Sequence, residues 1–177
     1  MEEKVSRNDF SDSINTERNT YQKIGLYKKP NKKLLNFLDL QHDEEVLINL
    51  SLFPFKNLFI NDVKERFAKH LILTTQRVIF ILNRGYLIKE FFTYNQITSI
   101  VVTSKWHISG DFPVIILKTA TDVYELVFST LFTYRKKISG IVDCIKTRNR
   151  DIEISIDWKG SSIDYIKEIL LTKIKFK

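Results

Sequence analysis

The sequence predicts a mainly β protein with helices (α+β), and three observations carry that prediction. Within residues 69–82, apolar residues alternate with a period of two on both sides of a polar break at 74–76, which is typical of a β-hairpin. Alternating segments of the same kind recur between residues 46 and 128, separated by short polar breaks. From Leu131 the apolar spacing changes to three and four, which indicates an amphipathic helix after the strands.

The alternation predicts seven strands joined mostly by short turns. They are expected near residues 46–52, 69–73, 77–82, 86–92, 97–103, 114–119 and 123–128. Two longer connections, residues 54–68 and 104–113, are predicted loops, and loops on a rigid scaffold are where function concentrates. A further alternating stretch at 152–156 is a candidate extra strand.

The chain divides into four predicted regions. These are a disordered or partner-ordered tail with a basic linker (1–30), a short amphipathic helix capped by Asn31 (31–41), the β domain with its helix (42–147), and a C-terminal extension with a candidate strand plus helix (148–177). Gly140 lies inside the predicted helix, where glycine carries a mild cost.

Charge is unevenly distributed along the chain, whose net charge is +7. Residues 41–130 balance nine basic against nine acidic groups, whereas residues 21–40 carry five basic and one acidic, and residues 131–177 carry eleven and six. The basic excess therefore flanks a neutral sheet. Such flanks suit an anionic membrane or nucleic acid, although solvated lysines on helix faces are the more common explanation.

Three phrases resemble a known family. They are Asp43-Glu44-Glu45 before the first strand, Leu73-Thr74-Thr75-Gln76-Arg77-Val78-Ile79-Phe80 in the hairpin, and Tyr94-Asn95-Gln96-Ile97-Thr98-Ser99-Ile100 before the fifth strand. Over about residues 42–147 the chain resembles the bacterial pleckstrin-homology (PH)-like domains, including the YokE-like group and their GRAM relatives. The resemblance implies a seven-stranded antiparallel bent sandwich or partial barrel, capped by the C-terminal helix, with the extra terminal helices outside it. It also implies a bacterial or phage source.

Two polar features of these phrases have structural interpretations. Arg77 is expected to bridge turn carbonyls or a nearby carboxylate rather than to hold a ligand. The acidic run 43–45 is expected to be a solvated turn.

The sequence offers no catalytic constellation, so we expect a non-enzymatic protein without cofactor or metal. Its three histidines (42, 70 and 107) lack metal-ligand spacing, and Cys144 lies alone in a predicted helix. Five glycines leave little room for a phosphate-binding loop. The acidic N-terminus is unlike a signal peptide, so a cytoplasmic protein is expected, with peripheral attachment at the inner membrane face as an alternative.

Two binding functions follow as expectations. The first is a protein–protein adaptor or regulator, with self-association as one form, whose candidate contacts are Trp106, His107, Phe37 and Leu38. The alternative is a peripheral module for anionic phospholipid. The PH resemblance implies basic residues in the first loop and second strand for that role (Lys64, Arg66, Lys69), and the C-terminal helix adds Arg135, Lys136 and Lys137. Nucleic acid is the least favoured partner, because no aromatic platform accompanies the basic stretches.

Overall fold

The computed structural model describes residues 7–52, 66–83, 87–107, 110–128 and 134–157. Within those ranges the side chains of residues 7–10, 66–69, 82–83, 87–88, 105–107 and 110–111 are outside the description. In chain order the elements are α1 (Arg7–Lys23), α2 (Lys32–Leu38), β1 (Val46–Ser51), β2 (Arg66–Thr74), β3 (Arg77–Asn83), β4 (Leu87–Thr93), a 3₁₀ turn (Tyr94–Gln96), β5 (Ile97–His107), β6 (Gly110–Thr119), β7 (Val123–Val127), α3 (Tyr134–Arg148) and β8 (Glu153–Asp157). The mainly β architecture with helices is confirmed.

The strands form two sheets that meet at one corner. Strands β1 to β4 pair antiparallel in chain order, and β5, β6 and β7 do the same. The first residues of β2, Arg66 and Phe67, pair in parallel with β7, which joins the two sheets. The candidate strand near 152–156 is confirmed as β8, and it pairs in parallel with β5, so the whole assembly is mixed rather than purely antiparallel.

The main core lies between the two sheets and α3. Leu71, Leu73 and Phe80 of the hairpin are fully buried there, and α3 adds its predicted stripe of Ile138, Ile141 and Ile145. The ring of Phe80 stacks on Tyr124 of the other sheet, with centroids 4.5 Å apart. The interlocked sheets and helix give a rigid scaffold.

A second, smaller apolar cluster covers the outer face of the first sheet. Helix α2 packs there through Leu38 over Ile72, Ile79 and Ile81 of the hairpin. The hairpin is therefore buried on both faces, which explains its nearly continuous apolar runs. A register shift in β1 places Val46 in this outer cluster instead of beside Ile48, where the alternation predicts it.

The predicted loop at 104–113 is wrong over most of its length. Strand β5 continues to His107 and β6 begins at Gly110, with Trp106 opposite Asp111 in the ladder. The Gly110-Asp111 turn signal misled the prediction, because both residues belong to an extended hairpin arm. The predicted loop at 54–68 lies almost wholly outside the described residues; its last three residues, 66–68, open β2.

The region expected to be a disordered tail is helical over residues 7–23 and lies against the domain. Ile14 and Tyr21, seven residues apart, are buried in the main core, and Leu26 of the linker is fully buried. Two buried apolar residues in a very polar helix give too weak a periodic signal for the sequence to predict it. In the part of the chain that the structure describes, no helix is long and apolar enough to cross a membrane.

Candidate functional site

The candidate site is built where α1 ends and the linker to α2 begins. Gly25 adopts a φ of +72°, its N–H donates to Gln22 O over 3.1 Å, and Leu26 N–H donates to Tyr21 O over 2.9 Å. These two hydrogen bonds form a Schellman motif, for which glycine is the preferred residue because left-handed backbone costs it little. The helix therefore ends at a fixed point, and the chain turns toward the sheet.

The linker next covers the free edge of β1. Asn49 N–H donates to Leu26 O over 2.9 Å, and the Asn49 amide donates to Lys28 O over 2.8 Å. Farther along, Asn31 accepts a hydrogen bond from Leu34 N–H over 2.8 Å, so the predicted cap of α2 is confirmed. Residues 24–31 are consequently held at both ends and along the edge of the sheet.

Gly140 of α3 is the point on which the linker packs. A Cβ at this position would lie 2.6 Å from Leu26 Cδ1 and 2.8 Å from Ile24 Cδ1. The glycine thus permits a close approach between the helix and the linker, a role that its position in the sequence does not reveal. One turn earlier, Lys137 lies beside the linker, since its Cε is 3.5 Å from where a Gly25 Cβ would be.

This packing brings the two basic flanks of the sequence together. We call the resulting surface the basic face and define it by Lys23, Lys28, Lys29, Lys136 and Lys137. All five side chains are exposed or half-exposed. Among the described residues, none of these lysines forms an ion pair with a carboxylate. Within the described part of the chain, the basic face therefore presents positive charge that no ion pair neutralises.

A partly buried charge cluster anchors α1 to the C-terminal end of α3. Arg148 donates two hydrogen bonds to the Glu17 carboxylate, of 2.8 Å from Nη2 and 3.0 Å from Nη1. The Tyr21 hydroxyl donates to the same carboxylate over 2.8 Å. Burial alone would raise the pKa of Glu17, but the hydrogen bonds and charge of Arg148 outweigh it and hold that pKa below its usual value.

Cys144 lies beneath this cluster. Its Sγ is 3.3 Å from Arg148 Nη1, and the side chain is fully buried. Burial raises the pKa of the Cys144 thiol to about 11, although the charge of Arg148 opposes the shift. The thiol is therefore protonated at neutral pH, which is the opposite of what a nucleophilic cysteine requires.

A second anchor connects α1 to the beginning of β1. Arg18 Nη2 lies 2.6 Å from Glu45 Oε2, and Arg18 Nε donates to Val46 O over 3.0 Å. The guanidinium also lies over the Tyr27 ring, 5.3 Å from its centroid. Glu17 and Arg18, which are adjacent in α1, therefore attach the helix to α3 and to the start of β1, respectively.

Within the acidic run before β1, Asp43 lies in an exposed turn as the sequence suggests, but Glu44 does not. Glu44 is only 5% exposed, and its Oε1 accepts hydrogen bonds from Arg77 Nε over 2.8 Å and from Thr74 Oγ1 over 2.7 Å. Arg77 also donates to Asp39 O over 2.9 Å, so the predicted bridging role of Arg77 is confirmed. Hydrogen bonds and the charge of Arg77 hold the pKa of Glu44 below its usual value, although burial opposes them. The cluster ties the hairpin to the end of α2 and has a structural role.

An open groove of about 570 Å³ runs between α1 and α3. Its lining consists of polar residues and one tyrosine: Asp12, Ser13, Thr16, Glu17, Tyr21 and Thr147. The only lining carboxylate that is substantially buried, Glu17, is already paired with Arg148. The groove therefore offers a polar surface without a converging acid–base pair.

The predicted binding residues do not form one site. Lys136 and Lys137 belong to the basic face, whereas the Arg135 side chain turns to its neighbour, with Nε 3.4 Å from the Tyr134 hydroxyl. Leu38 is fully buried and Phe37 is half-buried under α2, so the chain itself covers the apolar face that we expected to be available to a partner. Lys64 lies outside the described residues, as do the side chains of Arg66, Lys69, Trp106 and His107.

Comparisons with known proteins add little. No protein-family model matches the chain, and no curated protein matches it. Among solved structures, it is similar to the hSac2 domain from the human phosphoinositide phosphatase Sac2, with a TM-score of 0.47 and 12% identity, covering 75% of this chain and 92% of that chain. A likeness this distant transfers neither an activity nor a ligand. The resemblance to bacterial PH-like domains remains a prediction.

Proposed function

We propose that this chain is a non-catalytic binding module that attaches to anionic phospholipid membrane through the basic face. The supporting observation is that Lys137 lies against Gly25, so that the first turn of α3 is next to the basic linker, and among the described residues the lysines of both segments form no ion pair with a carboxylate. Each basic residue near an anionic membrane contributes about 1 kcal/mol of attraction. Five lysines acting together are enough for reversible peripheral attachment. The proposed location is the cytoplasm, at the inner face of the membrane.

The non-catalytic part of the proposal has its own support. The carboxylates with lowered pKa values, Glu17 and Glu44, are each hydrogen-bonded to a guanidinium that fastens one element to another. Perturbed pKa values indicate an active site when the groups face a cleft and lack another role. Here the structural ion pairs account for the shifts.

Sedimentation with vesicles tests the membrane proposal. The full chain is mixed with phosphatidylcholine vesicles that contain either no phosphatidylserine or about one-third of it, at low and at physiological salt. We expect binding only with the anionic lipid, weakening as salt rises because exposed charges are screened. Absence of binding to anionic vesicles at low salt would contradict the proposal.

A pair of matched double variants separates the basic face from net charge. Lys136→Gln/Lys137→Gln removes two charges from the face, and Lys118→Gln/Arg150→Gln removes two exposed charges from β6 and from the connection that follows α3. We expect the first variant to lose roughly 2 kcal/mol of binding free energy, about thirtyfold in affinity, and the second much less. Equal losses would mean that total charge, not this face, drives attachment.

A protein partner is the second candidate function. Its support is exposed apolar surface on two elements: Phe91 on β4 is 54% exposed and lies against the Arg77 guanidinium, and Leu35 on α2 is 39% exposed. Exposed aromatic side chains are enriched at interfaces. We expect Phe91→Ser to abolish the recovery of a specific partner in a pull-down, or to abolish self-association measured by sedimentation velocity. Val123→Ser, at a 45% exposed position on β7, is the control and should leave both intact. Identical behaviour of the two variants would remove this candidate.

A further inference from the structure

The lysines of the basic face come from two separate parts of the chain. Lys23, Lys28 and Lys29 belong to the end of α1 and the linker, whereas Lys136 and Lys137 belong to the first turns of α3. Their adjacency depends on the contact between the linker and Gly140, where Leu26 Cδ1 and Ile24 Cδ1 occupy the space that a side chain would fill. If the linker left α3, three of the five charges would leave with it.

The attachment of α1 is suited to reversible docking. Among its described side chains, only Ile14 and Tyr21 are buried. Its polar attachment includes the ion pairs Glu17–Arg148 and Arg18–Glu45, whose side chains keep between 16% and 44% exposure, and a hydrogen bond from Arg18 to Val46 O. A helix that is held by little apolar surface and by partly exposed ion pairs belongs to the least stable part of a fold.

We propose that docking of α1 and its linker on α3 assembles the basic face, so that the N-terminal segment switches attachment to anionic membrane on and off. This inference rests on the proposed function and adds its regulation. In the docked state the five lysines act on one patch of membrane. In the undocked state the two lysines of α3 remain on the domain and the other three are carried by a separate flexible chain, which must lose conformational freedom to bind.

Cys144 provides a direct readout of docking. It is the only cysteine of the chain, and it is fully buried beneath α1 next to Arg148. Because Tyr21 of α1 lies against this thiol, we expect undocking of α1 to increase its exposure. The rate at which a thiol reagent labels Cys144 in the native full-length chain therefore reports how often α1 undocks from α3.

The decisive variant is Gly140→Leu, which leaves net charge unchanged. The added side chain would occupy the positions of Ile24 and Leu26, and the substitution favours the helix itself. Ser139→Ala at the neighbouring buried position is the control, because it removes only an unpaired hydroxyl and adds no volume. We expect labelling of Cys144 to accelerate about tenfold or more in Gly140→Leu and binding to phosphatidylserine vesicles to fall about fivefold or more, with neither change in the control.

Circular dichroism checks whether Gly140→Leu keeps its fold. If this variant unfolds, Glu17→Gln tests the switch instead. Glu17→Gln releases Arg148 and raises net charge by one, so simple electrostatics predicts tighter membrane binding, whereas loss of docking predicts weaker binding and faster labelling. Faster labelling with unchanged or tighter vesicle binding would overturn the switch and leave the membrane proposal standing. A wild-type chain that fails to bind anionic vesicles would overturn the membrane proposal itself, and the switch with it.

Discussion

Replacing Arg77 by methionine is the sharpest test of how the fold is held together. The substitution keeps an unbranched apolar stem but removes the hydrogen bonds of 2.8 Å to Glu44 Oε1 and 2.9 Å to Asp39 O. The Glu44 side chain has no exposed surface, so its carboxylate would remain buried with only Thr74 and the Gln41 N–H as donors. Breaking a buried pair by removing one partner costs about 3–5 kcal/mol.

The cost should be measured by urea unfolding of the full chain at pH 7 and pH 5. A protein of this size has a stability of about 5–15 kcal/mol, so the expected loss is a large and measurable fraction of it. The loss should shrink at pH 5, because an unpaired buried carboxyl has a raised pKa and becomes neutral by taking up a proton. Arg150→Met, at an exposed position, is the control and should change stability by less than about 0.5 kcal/mol.

A second substitution isolates the interaction between the two charges. In Arg77→Met/Glu44→Gln no charge is buried, and the amide can still bond to Thr74, so the double variant should be more stable than Arg77→Met alone. The reasoning fails if Arg77→Met costs less than about 1 kcal/mol, the worth of an exposed pair, or if its deficit is the same at both pH values.

Three further predictions concern the N-terminal segment and acid stability. Asn31→Ala should lower the free energy of unfolding by about 1 kcal/mol through loss of the α2 cap, and an unchanged urea midpoint would contradict that role. Gly25→Ala should cost about 1–2 kcal/mol because alanine must adopt a φ of +72°, whereas Gly25→Asn, which tolerates that conformation, should cost less in the same assay. The pKa values of Glu17 and Glu44 lie below the ordinary 4.5, so their stabilisation is present above about pH 4.5 and is lost as pH falls through the folded-state values. The thermal unfolding temperature should therefore fall as pH drops below about 4.5, and it should fall less steeply in Glu44→Gln. Identical dependence of the unfolding temperature on pH in the wild type and in Glu44→Gln would exclude this cause.

Local periodicity was sufficient to predict the elements that bury a continuous face in the main core. The strand spacing in 69–82 and the stripe of Ile138, Ile141 and Ile145 reflect contacts with the main core, and the structure places these residues there. Periodicity did not show the contacts that cover a second face. Ile72 and Ile79 interrupt the hairpin alternation because α2 covers them, and that contact joins residues far apart in sequence.

Helix α1 shows why the N-terminal segment escaped prediction. Its attachment depends on Glu17 reaching Arg148 and on Arg18 reaching Glu45, and such distant pairs leave no periodic trace in a sequence. One local signal was nevertheless present: Gly25 follows a long polar stretch and precedes an apolar residue, the pattern of a helix C-terminus with a Schellman motif. With that signal, the heptad spacing of Ile14 and Tyr21 indicates a helix with a narrow buried seam.

Long-range packing also determines whether basic residues from different parts of the sequence form one surface. Residues 21–40 and 131–177 each have a basic excess, and taken separately each is most simply a solvated stretch. What changes the interpretation is the absence of a side chain at Gly140, because Leu26 and Ile24 of the linker occupy that space and Lys137, one turn away, lies beside Gly25. A cationic surface made from two segments has a property that a single basic stretch lacks: its strength depends on whether the segments are docked. Under the proposed function, attachment to a membrane and the packing of Leu26 are coupled, and a change in either should be measurable in the other.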